Sequence, residues 1–234
     1  MNEQGIPVSN IMKDEFGWEV PVESVPLPSR GVLYSPDSLL YNTETLQIKA
    51  MTAREEDILT SQAYIKENNV VEKLIESCLI DKSINTNDLI TGDRNALMVS
   101  IRITGYGSDY NITHNCNKCN HHNKVKVQLS NLGIKRLEQE PVEPGKNLFA
   151  YKLPITQKTV YFKFLNGHDQ KEIAIKEKRL KKAGVVYDNT ITSYLENTIV
   201  SIDGITDKNK IHHFIKNMPA LDSRKLRKHI WAIF

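Results

Sequence analysis

Hydrophobic and polar positions alternate with a period of two in two pairs of segments along this chain. Residues 110–114 and 124–129 form the first pair, and residues 148–153 and 159–164 form the second. This period is typical of β-strands, and two such segments close together in sequence predict a hairpin. A shorter alternating segment at 45–50 predicts one more strand. The pattern therefore predicts two β-hairpins and an additional strand.

Apolar positions recur at helical spacing in much of the remaining chain. Thr52 and Glu55 have the spacing of a capping box, which predicts a helix from there to about Lys66. Asp93 and Asp222 are expected to cap two later helices. Helices are predicted at 70–79, 94–104, 169–183, 190–200, 207–218 and from 222 onward.

Residues 1–45 contain five prolines and have no clear period. Proline fixes φ and lacks a backbone donor, so neither a continuous helix nor a central strand is expected there. Large apolar side chains in this stretch indicate an extended arm that lies on its own domain or on a partner. The predicted fold is α+β: an arm at 1–45, a helical core with a CxxC-bearing hairpin at 46–140, and a second hairpin with C-terminal helices at 141–234.

Two of the three cysteines, Cys116 and Cys119, have CxxC spacing between the strands of the first predicted hairpin. Two thiolates at this spacing can bind one tetrahedral metal ion, zinc above all, and imidazoles can fill the other positions. His114 and His121 are the expected further ligands, with His122 as the alternative to His121, because neighbours in an extended chain point to opposite sides. The chain has no second CxxC pair. Three alternatives to a metal site therefore remain: two thiols without a function, the remnant of a metal site, or a redox pair.

Composition narrows the class of protein. Hydrophobic residues make up 40 % and charged residues 25 % of the 234, which is ordinary for a soluble globular protein. No apolar run approaches the roughly 18 residues that span a bilayer, and the first residues do not resemble a secretory signal. No phosphate-binding loop, dinucleotide fingerprint or nucleophile elbow occurs, and no carboxylate base flanks the CxxC. We therefore expect no enzyme and no small-molecule substrate, with a metal-dependent hydrolase as the weakest alternative.

Positive charge is concentrated in the last third of the chain. Residues 166–234 hold 13 Lys and Arg against 8 Asp and Glu, most densely at 176–182 and 224–228. Such clusters are either solvated helix faces or surfaces for nucleic acid or an acidic protein. No aromatic residue lies within the first cluster, which argues against a surface for single-stranded nucleic acid, because such surfaces stack bases on aromatic rings. A zinc-knuckle nucleic-acid-binding protein using the basic helix at 176–182 is the alternative function.

Three stretches carry a resemblance to a known family. They are LPSRGVLY at 27–34, MTAREEDIL at 51–59, and GDRNA at 92–96 with RITGYG at 102–107. In this order, with the CxxC downstream, they resemble the baseplate hub and hub-assembly proteins of T-even-like contractile-tailed bacteriophages. MPALDSRKLR at 218–227 is similar to the same family, more loosely. Relatives often read CPxCG at the cysteine pair, where this chain has CNKCN.

The resemblance implies a non-enzymatic structural or assembly role, in which the chain organises other phage tail and baseplate hub proteins. It implies assembly in the host cytoplasm and leaves open whether the protein stays in the tail baseplate of the virion. Because aromatic side chains dominate interface energetics, we expect a small set of large residues to contact these partners. The expected partner contacts are Trp18, Leu33, Tyr34, Trp231 and Phe234.

Overall fold

A computed structural model describes residues 10–13, 17, 19–182 and 190–234 of the chain. The strands are β1 (Asn10–Lys13), β2 (Glu19–Pro26), β3 (Thr45–Lys49), β4 (Asp109–Asn115), β5 (His122–Gln128), β6 (Phe149–Lys152), β7 (Thr159–Phe162) and β8 (Ile199–Ile202). The helices are α1 (Ala53–Thr60), α2 (Gln62–Glu67), α3 (Val70–Cys78), α4 (Thr91–Tyr106), α5 (Gly167–Lys182), α6 (Thr190–Thr198), α7 (Lys208–Asn217) and α8 (Ala220–Ile233). The α+β fold class and both predicted hairpins are confirmed. Among the described helices, none has the length and apolar character needed to cross a bilayer.

The described residues form two compact units, each assembled from separated stretches of chain. The first unit draws on residues 1–27, 45–83 and 94–135, and the second on residues 28–44, 84–93 and 136–234. The first contains the sheet β1-β2-β3 and the hairpin β4–β5, and the second contains the sheet β6-β7-β8.

In the first unit, β2 is the central strand of an antiparallel sheet, which corrects the expectation that the prolines before residue 45 exclude such a strand. The β2–β3 ladder runs from Val22↔Lys49 to Pro26↔Thr45, so Pro26 occupies its last pair. Pro21 lies one residue beyond the other end, where its carbonyl accepts the Ala50 amide at 3.0 Å. Pro26 lacks its amide donor where the β2–β3 ladder ends. Pro21 pairs with Ile11 inside the β1–β2 ladder, but its carbonyl faces β3, so the missing amide also lies on the β3 side, beyond the last pair of the β2–β3 ladder.

In the first unit, α1 begins at the predicted capping box of Thr52 and Glu55. The Glu55 carboxylate accepts the Thr52 amide at 2.8 Å and the Thr52 hydroxyl at 2.6 Å. It also accepts Lys49 Nζ at 2.8 Å and the Ser77 hydroxyl at 2.6 Å, so this fully buried side chain joins β3, α1 and α3. The predicted single helix to Lys66 is divided at Ser61, whose extended backbone ends α1 and whose hydroxyl caps α2. Cys78 is fully buried, as expected for a core residue.

The core of the second unit is an aromatic cluster on the sheet β6-β7-β8. Phe149 and Phe162 pair across β6 and β7, with ring centroids 5.6 Å apart, and Phe164 contacts Phe149 edge-on at 5.0 Å. The third strand is a correction, because a helix was expected over 190–200. That helix ends at Thr198, and the apolar run that follows pairs with β7 instead of extending the helix. Residues 183–189, including the predicted end of the helix at 169–183, lie outside the described residues.

Two aspartates expected to be helix caps are buried and bind distant segments of the second unit. Asp93 lies inside the first turn of α4 and accepts the Ser29 amide at 2.9 Å, the Ser29 hydroxyl at 2.6 Å and the Tyr34 hydroxyl at 2.6 Å. Burial raises the pKa of Asp93 above its ordinary value, although these donors act in the opposite direction. Asp222, in the first turn of α8, accepts the amides of Ile155 and Thr156 at 2.8 and 3.0 Å.

Candidate interaction surface and metal site

The β4–β5 hairpin follows directly on α4 in the first unit. Its strands pair antiparallel over their whole length, from Asp109↔Gln128 at the base to Asn115↔His122 at the tip. Every residue of β4 is exposed, and β5 is exposed except near its base. Alternation along the strands gives the hairpin two chemically different faces.

One face is apolar. The cross-strand pairs Tyr110↔Val127 and Ile112↔Val125 lie on it, and we call these four residues the apolar hairpin face. Tyr110, Ile112 and Val125 are 44 %, 39 % and 49 % exposed. Isolated exposed apolar side chains are common, but several that share one face mark an interaction site.

An arginine and a second tyrosine extend this face at its base. The Arg102 guanidinium carbon lies 4.9 Å from the centre of the Tyr106 ring and 5.8 Å from that of Tyr110, within the range of cation–π attraction. Arg102 Nη1 also donates to the carbonyl of Gly107 at 3.1 Å, which fixes the guanidinium in place. Tyr106 is 48 % exposed and donates its hydroxyl to Glu56 at 2.9 Å. Tyrosine and arginine are the residue types that most often dominate protein interfaces.

The opposite face is polar and carries a positive charge balance. Between Ser108 and Leu129 the chain has the three lysines Lys118, Lys124 and Lys126, and Asp109 as its one acidic residue. Asp109 pairs with Lys126 at 2.5 Å, and this lysine, together with the Gln128 amide, holds the pKa of the Asp109 carboxyl below its ordinary value.

At the tip, Cys116 and Cys119 lie near each other in a closed turn. The Cys116 amide donates to the His121 carbonyl at 2.9 Å, and the Asn120 amide donates to the Cys116 carbonyl at 2.8 Å. Asn120 has φ of 53°, the left-handed conformation that asparagine tolerates better than most residues. The amides of Lys118 and Cys119 donate to the Cys116 sulfur and, with the Cys119 side chain, lower the pKa of this thiol.

The histidines of the tip are placed apart from this pair. His122 Nδ1 lies 2.5 Å from Asn115 Oδ1, its partner across the strands. His114 pairs with Asn123, which places it on the same face as Ile112. Within the described part of the chain, no three His, Cys, Asp or Glu side chains are grouped so as to hold a metal ion. Two thiols are soft donors that suit two of the four zinc positions, so zinc binding by Cys116 and Cys119 with His114 and His121 or His122 stays a prediction.

The residues expected to contact partners have different environments. Leu33 and Tyr34 are 3 % and 6 % exposed, and the Tyr34 hydroxyl binds Asp93, so the chain buries both within itself. Phe234 is half-buried, with its ring 4.6 Å from that of Phe164. Trp231 is 75 % exposed and its side chain donates to Tyr194. Trp18 lies outside the described residues.

The basic helix expected at 176–182 forms the second half of α5. Lys176 donates to Glu196 at 3.2 Å, and Glu196 also binds His212 Nδ1 at 2.5 Å. Lys178 and Arg179 are exposed, whereas the side chains of Lys181 and Lys182 lie outside the described part. One member of this cluster is therefore already partly neutralised within the second unit.

The apolar hairpin face is not among the sites predicted from the sequence. A usable signal was present, because both predicted strands have their apolar residues at alternate positions and a hairpin register can bring these to one face. The contacts of Asp93 have no local sequence signal, because its partners Ser29 and Tyr34 lie 64 and 59 residues earlier in the chain.

Comparison with known proteins gave one match. The comparisons with curated proteins and with solved structures found none. A family model described as T4 bacteriophage base plate protein matches residues 33–231, which is most of the chain. The matched range includes the motifs at 51–59, 92–107 and 218–227 but only the last two residues of the motif at 27–34, and it gives the protein a structural role in the phage tail, in contact with other tail proteins. The chain belongs to the T4 bacteriophage base plate protein family.

Proposed function

We propose that this baseplate protein is a component of the hub, or a factor needed to build the hub, and that it organises other tail proteins without catalysis. The observation that carries the proposal is the exposed apolar hairpin face. A two-stranded hairpin by itself is only marginally stable in water. Coverage of its apolar face by another protein would stabilise it and would give the partner a defined register.

The chemistry of the hairpin indicates the kind of partner. Arg102 lies over the Tyr110 ring at the base of the apolar hairpin face, and Lys118 lies at the tip, whereas Lys124 and Lys126 belong to the opposite face. Electrostatic complementarity favours an acidic rim on the protein that binds here, around an apolar centre that meets Ile112 and Val125. The proposed partner is therefore another tail protein with an apolar patch surrounded by acidic side chains.

The buried carboxylates support a role without catalysis. Glu55, Asp93 and Asp222 are fully buried, and each accepts several hydrogen bonds from other segments of its own unit. Carboxylates held in this way stabilise a fold, whereas a catalytic acid or base must reach a substrate. These three carboxylates thus have a structural role.

The experiment is co-expression of the full chain with the other baseplate proteins of its phage, followed by affinity purification after nuclease treatment. Wild-type protein is expected to retain hub proteins, identified by mass spectrometry. The variant Ile112→Asp/Val125→Asp is expected to lose them, because it adds negative charge to the apolar centre. Asn111→Asp/Thr113→Asp is the matched control, since it adds the same two negative charges on the polar face and is expected to keep the partners.

Different outcomes would contradict different parts of the proposal. Equal recovery of partners with the double variant and with wild type would exclude the apolar hairpin face as the docking surface. Recovery only of proteins from outside the hub would exclude the hub assignment. In a parallel purification without nuclease, salt-sensitive retention of nucleic acid without tail proteins would favour the alternative function through Lys178 and Arg179.

A further inference from the structure

We propose that two copies of this chain share one zinc ion at their hairpin tips, with each copy supplying Cys116 and Cys119. Each tip is then half of a four-thiolate site, and the complete site is a tetrahedral bridge between two chains. This inference goes beyond the proposed docking role, because it concerns the tip of the hairpin rather than its apolar face.

The tip has the local geometry that a two-thiolate ligand pair needs. The two cysteines lie near each other, and the turn between them is closed by the hydrogen bonds Cys116 N to His121 O and Asn120 N to Cys116 O. The pair therefore needs little rearrangement to act as ligands.

Two thiolates leave two of the four zinc positions to be filled. Within the described residues, no third His, Cys, Asp or Glu side chain is grouped with Cys116 and Cys119 so as to hold a metal ion. Cys119 and residues 117–122 around it are exposed, so a second ligand pair can approach from outside the chain. The tip thus has the donors for half a site and the access for the other half.

A second copy is the ligand source that fits best. A two-fold dimer brings the same patch of both copies together, so it supplies an identical pair of soft donors without any further protein. Zinc with four thiolates carries a net charge of −2, and each tip places Lys118 between its two cysteines. The two lysines of a dimer would compensate this charge, whereas without the metal they would repel each other. Metal binding and association of the tips are therefore coupled.

The test uses the purified full chain under reducing conditions, with zinc measured by elemental analysis and mass by light scattering. We expect one zinc per two chains and a dimer that chelator converts to monomer. Cys116→Ser/Cys119→Ser is expected to lose both zinc and dimer, while Cys78→Ala, which removes the buried thiol, keeps both. His114→Ala/His121→Ala/His122→Ala is also expected to keep both. Cobalt in place of zinc should show thiolate charge-transfer absorption that corresponds to four sulfurs per metal ion.

Three results would overturn the inference. One zinc per monomer that is lost in the triple histidine variant would assign the ligands to a single chain. Absence of zinc from the reduced wild-type protein, after incubation with zinc chloride and gel filtration, would exclude the site. A disulfide between Cys116 and Cys119 that re-forms from the reduced protein and prevents zinc uptake would identify a redox pair. Each of these results is independent of whether Ile112 and Val125 bind a tail protein.

Discussion

The two predicted hairpins of this chain, β4–β5 and β6–β7, have similar alternating sequences and opposite surroundings. All of β4 is exposed, whereas Phe149, Val160 and Phe162 of the second hairpin are fully buried. The second hairpin gains a third strand, β8, and a cluster of aromatic rings. Among the described residues, the sheet of the first hairpin contains only its own two strands. Period-two alternation therefore specifies strand pairing in both, but what covers the apolar face decides whether that face stabilises the fold or remains open to a partner.

The carboxylates of the two regions show the same contrast. Asp222 is fully buried and accepts three hydrogen bonds from the turn between β6 and β7, from the Ile155 amide and from the amide and hydroxyl of Thr156. Asp109 is exposed and pairs with Lys126 and Gln128 in the first hairpin. The pKa of both carboxyls is lowered, but only the buried one is shielded from water and salt. Although the pKa is lowered in both carboxyls, we expect Asp222 to contribute more to stability than Asp109.

The largest effect is expected from truncation of the aromatic core. Phe149→Ala leaves a cavity beside Phe162 and Phe164 and should lower the free energy of unfolding by about 3–5 kcal/mol. Tyr110→Ala in the exposed hairpin is the matched aromatic control and should cost about 1 kcal/mol or less. Denaturant unfolding followed by circular dichroism measures both. Equal losses would mean that the two hairpins are equally covered, and the comparison would fail.

Asp222→Asn should have the next largest effect. It replaces a charged acceptor of three hydrogen bonds and should cost about 2 kcal/mol at neutral pH. Burial alone would raise the pKa of Asp222, but the donors from Ile155 and Thr156 outweigh it and the pKa is lowered. The carboxylate therefore stabilises the fold above its unfolded-state pKa of about 4, and this contribution is lost as the pH falls through the lowered native value.

The measurement is unfolding of wild type and Asp222→Asn at pH 7 and pH 3. The difference between them should shrink at the lower pH. A difference that is unchanged at pH 3 would show that the charge of Asp222 does not matter to the fold.

Local sequence patterns predicted most elements, because strand alternation, the capping box at Thr52 and the Asp207 cap of α7 depend on residues close in sequence. β2 was missed because the rule against proline in central strands applies only where the ladder needs the amide donor. Pro26 lies in the last pair of the β2–β3 ladder, and Pro21, although paired with Ile11 in the β1–β2 ladder, has its backbone polar groups toward β3, beyond the other end of the β2–β3 ladder. β8 was missed because its apolar residues follow α6 without a break and equally suit a helix. Its pairing with β7 depends on residues about 40 positions earlier.

The features of the candidate site also differ in whether local sequence predicts them. The nearness of Cys116 and Cys119 follows from their spacing and could be predicted, whereas the burial of Leu33 and Tyr34 could not. An irregular segment rich in apolar residues can bind a partner or its own chain, and only the tertiary contact between Tyr34 and Asp93 decides between these. Long-range hydrogen bonds of this kind have no local signature in the sequence.

A smaller effect is expected from Ile112→Ala. Its side chain is 39 % exposed and pairs with Val125 across the hairpin, so truncation should cost at most about 1 kcal/mol. The change in thermal midpoint of the purified chain measures this loss. A loss comparable to that of Phe149→Ala would show that the apolar hairpin face is already covered, and it would remove the basis of the proposed docking surface.

The smallest effect is expected from Asp109→Asn, and its dependence on salt distinguishes the two regions. The ion pair between Asp109 and Lys126 is exposed, and such pairs contribute little because water and ions screen them. At low ionic strength the unfolding midpoint should fall slightly, and the shift should disappear as sodium chloride is raised, since the screening length falls to a few ångströms near 1 M. The shift caused by Asp222→Asn should persist in the same titration, because its partners are backbone and hydroxyl groups beside a buried carboxylate. A salt-independent loss for Asp109→Asn would mean that the first hairpin excludes solvent as the second does, and its free apolar face would then need another explanation.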